Sequence, residues 1–170
     1  MELPGRLVLL GHPVEHSLSP AFQNAALRAA GIPLTYEAID VPVDGLARMA
    51  HLLADVNASG NVTVPHKEAV ARLVDELRPV AEASGSVNTV VVADDGRLIG
   101  DSTDGPAIAA AIASEVGERY TGVVTVLGAG GSARAAAAAL AQEGCSVQIH
   151  ARRPAAAQAL AADLAATGDV

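Results

Sequence analysis

Val123-Val124-Thr125-Val126-Leu127-Gly128-Ala129-Gly130-Gly131-Ser132-Ala133 runs from an apolar strand through a glycine turn into an alanine-rich helix that extends to about Glu143. The glycines follow the pattern G-x-G-x-x-A in the setting that gives it meaning, with a strand before and a helix after. The first glycine permits the turn, the second lets a pyrophosphate approach the backbone, and unpaired N–H groups at the helix start favour an anion. Ser146 to His150 reads as the next strand and closes a βαβ unit. Gly128, Ala129, Gly130, Gly131, Ser132 and Ala133 are therefore the candidate cofactor-binding residues. The residues just after the second strand choose between dinucleotides. An acidic side chain there would accept the ribose hydroxyls of NAD, but this chain has Ala151-Arg152-Arg153. Arg152 and Arg153 favour a 2′-phosphate, and so NADP.

Upstream of this unit the chain alternates strands and helices at a rhythm that indicates a mostly parallel sheet, with ligands at the carboxyl ends of the strands. Arg6 to Gly11 reads as a buried strand. A proline-rich loop comes next, and Ser19 with Pro20 predicts an N-cap and first helical residue, closed by Gly31. Ser17 and Ser19 thus stand where a strand end meets a helix start, a place suited to an anion. A second strand is expected over 34–40, a helix capped by Asp44 to about Ala54, and a third strand over 60–64 with Pro65 opening the next helix. Asn61-Val62-Thr63-Val64-Pro65-His66-Lys67 places three polar side chains at that strand's end and a lysine in a helix's first turn, where the dipole disfavours a cation. A short helix from Pro79 and a hairpin about Asp94-Asp95-Gly96 come after it. Asn88 and Thr89 interrupt the apolar approach to the hairpin. Pairing of Asn88 with neighbouring backbone and contact with a ligand both remain open. Asp104 opens the next alanine-rich helix. With Lys67 at another loop-to-helix junction, it forms a candidate proton-transfer pair.

Composition narrows the classes of partner. Phe22, Tyr36 and Tyr120 are the aromatics of a 170-residue chain, so its core must be built from Ala, Val, Leu and Ile. A formal charge of −8 argues against a broad nucleic-acid or anionic-membrane surface, because phosphates are held by clustered Lys and Arg. Cys145 is alone, so no internal disulfide can form. The amino end lacks a basic segment followed by an apolar run, and no apolar stretch reaches membrane-spanning length. A cytoplasmic location is expected. His12, His16, His51, His66 and His150 form no defensible ligand set, so no metal is expected.

Gly11-His12-Pro13-Val14-Glu15-His16-Ser17-Leu18-Ser19-Pro20, Asn61 to Lys67, Gly85-Ser86-Val87-Asn88-Thr89, Gly100-Asp101-Ser102-Thr103-Asp104-Gly105 and the glycine turn occur in this order. Together they resemble the motifs of the shikimate dehydrogenase family and span essentially the whole chain. The resemblance implies reversible reduction of 3-dehydroshikimate to shikimate with NADPH, in aromatic amino-acid biosynthesis. It implies that Ser17 and Ser19 hold the substrate carboxylate, and that Thr63, Asn88 and Asp104, helped by Asn61, fix the ring hydroxyls. Lys67 would be the catalytic acid and base, with Asp104 its partner. The chain departs from the family in having Ala151 and Arg153 where Asn and Thr are usual. The residues from Gly122 onward suffice for about two strand–helix units, whereas a full dinucleotide fold has two βαβαβ halves.

The expected fold is therefore α/β, a mostly parallel-sheet substrate domain followed by the first part of a Rossmann NADP-binding domain. The expected divisions are 1–104 for substrate binding, 105–121 as connecting helix and linker, and 122–170 for the partial cofactor domain. Apolar faces left uncovered by a half-domain would promote pairing, and a homodimer is an expectation. The alternatives are a quinate/shikimate dehydrogenase of broader specificity, and a fragment that binds substrate without turnover.

Overall fold

The computed structural model describes residues 4–117 and 120–166. They form β1 (Arg6–Gly11), α1 (Ser19–Ala29), β2 (Tyr36–Asp40), α2 (Leu46–Asp55), β3 (Ala58–Val62), α3 (Lys67–Ala71), β4 (Glu76–Leu77), α4 (Pro79–Ser84), β5 (Thr89–Val92), β6 (Leu98–Asp101), α5 (Asp104–Val116), β7 (Val123–Leu127), α6 (Gly131–Gln142), β8 (Ser146–His150) and α7 (Pro154–Ala166). The chain divides into two compact units. The first holds the described residues up to Leu77 together with Val87–Asp101. The second holds Arg78–Ser86 and the described residues from Ser102 onward.

In the first unit six strands lie in the order β2-β1-β3-β5-β6-β4. β1 pairs in parallel with β2 and β3, and β4 with β6, while β5 runs antiparallel to both its neighbours. The sheet is thus mostly parallel. β1, flanked by strands on both sides, buries Val8, Leu9 and Leu10 in succession, as expected of a strand covered on both faces. α2 buries Leu46, Ala50 and Leu53, one stripe at helical spacing. Each of those leucines contributes about 1.5–3 kcal/mol by leaving water. β3 passes so close to β1 that a Cβ on Gly60 would lie 1.9 Å from the carbonyl oxygen of Val8, and only glycine fits there.

The second unit carries the parallel pair β7 and β8. Val126, Val147 and Ile149 on one face pack with Ala137 and Ala138 of α6 and with Leu160 and Leu164 of α7. On the other face Val123 and Leu127 are 57% and 83% exposed. α5 lies against α6 at close range. A Cβ on Gly105 would stand 2.8 Å from the carbonyl oxygen of Ala135 and 2.9 Å from the Cβ of Ala139.

Several local expectations are corrected. Ser19 is the first helical residue of α1 rather than its cap, and the amide it exposes is met by Ser17 Oγ. Asp44 lies in a 3₁₀ turn, Val43–Gly45, and makes no cap for α2. β2 begins at Tyr36, and β3 spans Ala58–Val62, two residues earlier than expected. Pro65 precedes α3 within a turn, leaving Lys67 as the first helical residue. α3 has only five residues, so the macrodipole that made its lysine conspicuous is small. The two-residue β4 was not read from the sequence, being too short for any period to show.

Candidate functional site

In the first unit the candidate residues gather at the carboxyl ends of β1 and β3 and at the entry to β5. Ser17 lies between β1 and α1 and Ser19 opens α1, both partly buried, with Ser17 Oγ accepting the Ser19 N–H at 3.2 Å. α1 has no acidic residue in its first turn and no side-chain cap, so its leading N–H groups and two hydroxyls suit a carboxylate. Thr63 follows β3, its N–H donating to the Leu10 carbonyl at 2.8 Å. Gly11 makes this approach possible, since a Cβ there would stand 2.5 Å from Thr63 Cγ2.

Lys67 is partly buried at the start of α3, and its carbonyl accepts the Val87 N–H at 3.0 Å. The preceding residue, His66, is only 1% exposed, with Nε2 2.6 Å from the Val41 carbonyl. A carbonyl only accepts, so Nε2 carries the proton and donates it, which ties the turn before Lys67 to the end of β2.

Asn61, Asn88 and Thr89 are joined directly. Asn61 Nδ2 donates to the Asn88 carbonyl at 3.2 Å and to Thr89 Oγ1 at 3.4 Å. Thr89 Oγ1 donates to Asn88 Oδ1 at 2.8 Å. The Asn88 carbonyl also accepts the Val62 N–H at 2.8 Å. The pairing of Asn88 with its neighbours is therefore present. Two residues that the sequence did not single out complete this array. Tyr36 donates its hydroxyl to Asn61 Oδ1 at 2.7 Å, and Asn24 of α1 bonds both main-chain groups of Tyr36. Tyr36 had a signal, being one of three aromatics in the chain. Asn24 had none, since a polar residue on a helix ordinarily faces water.

In the second unit Asp104 opens α5, and Ser132 Oγ donates to its Oδ2 at 3.3 Å. One residue of the glycine turn is thus bound to the candidate proton-transfer carboxylate. Gly128 has φ +135°, and its N–H donates to the His150 carbonyl at 2.8 Å, which seats the turn on the end of β8. Gly130 precedes α6 without any side-chain cap, and a Cβ added there would meet nothing within 4 Å. Bare backbone at the start of a twelve-residue helix, with open space above it, fits a pyrophosphate. Arg152 and Arg153 follow β8 at the same end and are exposed. Among the described residues no group of three or more His, Cys, Asp or Glu could hold a metal ion, and no helix is long and apolar enough to cross a membrane.

Known proteins share this arrangement. Residues 9–90 match the family model described as the shikimate dehydrogenase substrate binding domain. The chain is 44% identical over 163 residues to the shikimate dehydrogenase (NADP(+)) of Methylobacterium radiotolerans, covering 92% of this chain and 58% of that protein. It is 47% identical over 167 residues to the enzyme of the same name from Moorella thermoacetica, covering 96% and 56%. The crystal structure of the Thermus thermophilus shikimate 5-dehydrogenase in complex with NADP(H) and shikimate superimposes with a TM-score of 0.79 at 38% identity, covering 94% of this chain and 60% of that one. The chain thus spans a little over half the length of these relatives. Over that span the chain is similar in sequence and fold to members of the shikimate dehydrogenase family, and residues 9–90 match that family's substrate binding domain.

Proposed function

We propose that the chain carries the substrate half-site and the leading cofactor half-site of an NADP-dependent shikimate dehydrogenase, acting in aromatic amino-acid biosynthesis. The observation that supports this most strongly is the joint presence of two arrays. A hydroxyl- and amide-rich array stands at the strand ends of the first unit, and a bare glycine turn with two arginines stands at those of the second. In this reading the substrate ligands come from the first unit except Asp104, which belongs to the second, and the cofactor ligands come from the second. Ser17 and Ser19 hold the carboxylate, and Thr63 and Asn88, with Asn61 and Asp104, hold the ring hydroxyls. The turn from Gly128 to Ala133 takes the pyrophosphate, and Arg152 with Arg153 takes the 2′-phosphate.

NADPH, when bound, supplies the hydride that reduces the substrate carbonyl. As that carbon gains the hydride, the C=O π electrons move onto oxygen, and Lys67 stabilises the growing charge and donates the proton that completes the hydroxyl. In the reverse direction the neutral amine takes the proton back. Asp104, an anion, keeps the lysine oriented and accepts from a ring hydroxyl. A cytoplasmic location and a homodimer belong to the same proposal. The first rests on the lone cysteine, and the second on the exposed Val123 and Leu127, to be checked by sedimentation velocity. Replacing Lys67 by alanine tests the assignment of the proton donor. Turnover is expected to fall about 10²–10⁴-fold, with a smaller change in shikimate affinity. Unchanged turnover in Lys67→Ala would remove Lys67 from the mechanism.

A further inference from the structure

We infer that Tyr36, anchored by Asn24, is a positioning residue that sets the orientation of the Asn88 carboxamide through Asn61 and Thr89. The inference rests on the proposed role of Asn88 as a ligand for a substrate hydroxyl.

The directions of the bonds made by Asn61 are settled by elimination. The Asn88 main-chain carbonyl can only accept, so the edge of Asn61 that faces it, at 3.2 Å, must be the NH₂ group. Asn61 Oδ1 is then the atom 2.7 Å from the Tyr36 hydroxyl, which must donate to it. The second Asn61 N–H points to Thr89 Oγ1, and the threonine hydroxyl donates its own proton to Asn88 Oδ1, 2.8 Å away. The chain of bonds therefore runs one way, Tyr36 to Asn61 to Thr89 to Asn88. It leaves the Asn88 carboxamide with its oxygen held by Thr89 and its NH₂ on the opposite edge. Bonds linked in this manner polarise one another, and reversing the Asn61 amide would set two acceptors face to face at the Asn88 main-chain carbonyl.

The origin of this relay is fixed independently. β2 is the edge strand, pairing only with β1 among the described residues, so the outward N–H and C=O of Tyr36 lack a strand partner. Asn24 supplies one. Its Oδ1 accepts the Tyr36 N–H at 2.8 Å, and its Nδ2 donates to the Tyr36 carbonyl at 2.9 Å and to the Pro20 carbonyl at 2.7 Å. One carboxamide thus locks β2 to the first turn of α1, where Ser19 lies. The Tyr36 ring is 4% exposed and packs with Leu9 and Val14, which leaves its hydroxyl little freedom. The same residues connect the helix start offered to a carboxylate with the amide offered to a hydroxyl. They hold those two groups at a fixed separation, as recognition of a small rigid acid requires.

The test uses the isotope-labelled chain and its variants Tyr36→Phe, Thr89→Val and the double variant. Side-chain amide spectra are recorded without ligand, and shikimate is then titrated by calorimetry. Tyr36→Phe keeps the packed ring, and it is expected to shift the NH₂ signals of both Asn61 and Asn88 and to weaken shikimate binding by about three- to tenfold. Thr89→Val should do the same at Asn88, and the double variant should bind no more weakly than the worse single one, because both cut one relay. Asn88 signals that stay in place in Tyr36→Phe, an unchanged dissociation constant, or losses that multiply in the double variant would each overturn the inference. Should Tyr36→Phe unfold, Thr89→Val and its spectra decide the matter. Failure of the unaltered chain to bind shikimate would overturn the proposed function, whereas the orientation of Asn88 would still be decided by the ligand-free spectra.

Discussion

The Tyr36 hydroxyl sits where burial pushes its pKa up to about 12 from the ordinary 10.0. The buried phenol resists ionisation, so between about pH 10 and pH 12 the folded chain holds a proton that the unfolded chain has lost. Stability is therefore fully present below pH 10 and declines as pH rises through that window. Tyr36→Phe removes the titrating group, and denaturant melts at pH 9 and pH 11 are expected to differ less for it than for the unaltered chain. An equal loss in both proteins would place the titration elsewhere. In the second unit Arg152 and Arg153 make a narrower forecast. A charge-assisted contact to phosphate is worth about 1.5–3 kcal/mol. Replacing both arginines by alanine should therefore lower the preference for NADP over NAD by at least about tenfold, read from paired titrations. A preference that survives would put the 2′-phosphate on other residues.

Among the elements, β3 is the most exacting. Gly60→Ala places a methyl 1.9 Å from the Val8 carbonyl, on backbone that cannot move without breaking the β1–β3 ladder. A loss of about 3 kcal/mol or more in a urea melt is expected. A mild effect would mean that the two strands part more easily than their register implies. Elsewhere the elements divide by how local their cause is. β7, β8 and the turn between β7 and α6 were legible because an apolar run, a glycine pattern and a helix succeed one another within a few residues, and local rules suffice. Asn61, Lys67 and Asn88 were legible as polar residues at strand and helix junctions. Their hydrogen-bond partners were not, because Tyr36 and Asn24 reach Asn61 and β2 across long stretches of chain. Ser19 and Asp44 misled for a related reason. Both are good capping residues, yet α1 begins one residue early under the control of Ser17, and α2 begins after an extra 3₁₀ turn. Propensity speaks for a neighbourhood, whereas the start of a helix is settled by what packs against it.

For the whole molecule the decisive fact is extent. The chain spans a little over half of its relatives, and the second unit presents Leu127, 83% exposed, on the bare face of a two-stranded sheet. A groove of about 410 Å³ along α5 and α6, lined by Pro106, Ala109, Ala113 and Leu140 among others, includes none of the proposed ligand-binding residues. Binding and turnover are thus separate questions for this chain. The hydroxyl- and amide-rich array lies within the first unit, while hydride transfer also requires a nicotinamide held in register with the carbonyl carbon. The most direct measurement is absorbance at the nicotinamide band when the purified chain is mixed with shikimate and NADP, then with NAD in its place. Our account predicts reduction of NADP and little of NAD. No reduction of either, in a chain that titration shows to bind neither shikimate nor NADP, would contradict the proposal that it carries the substrate half-site and the leading cofactor half-site.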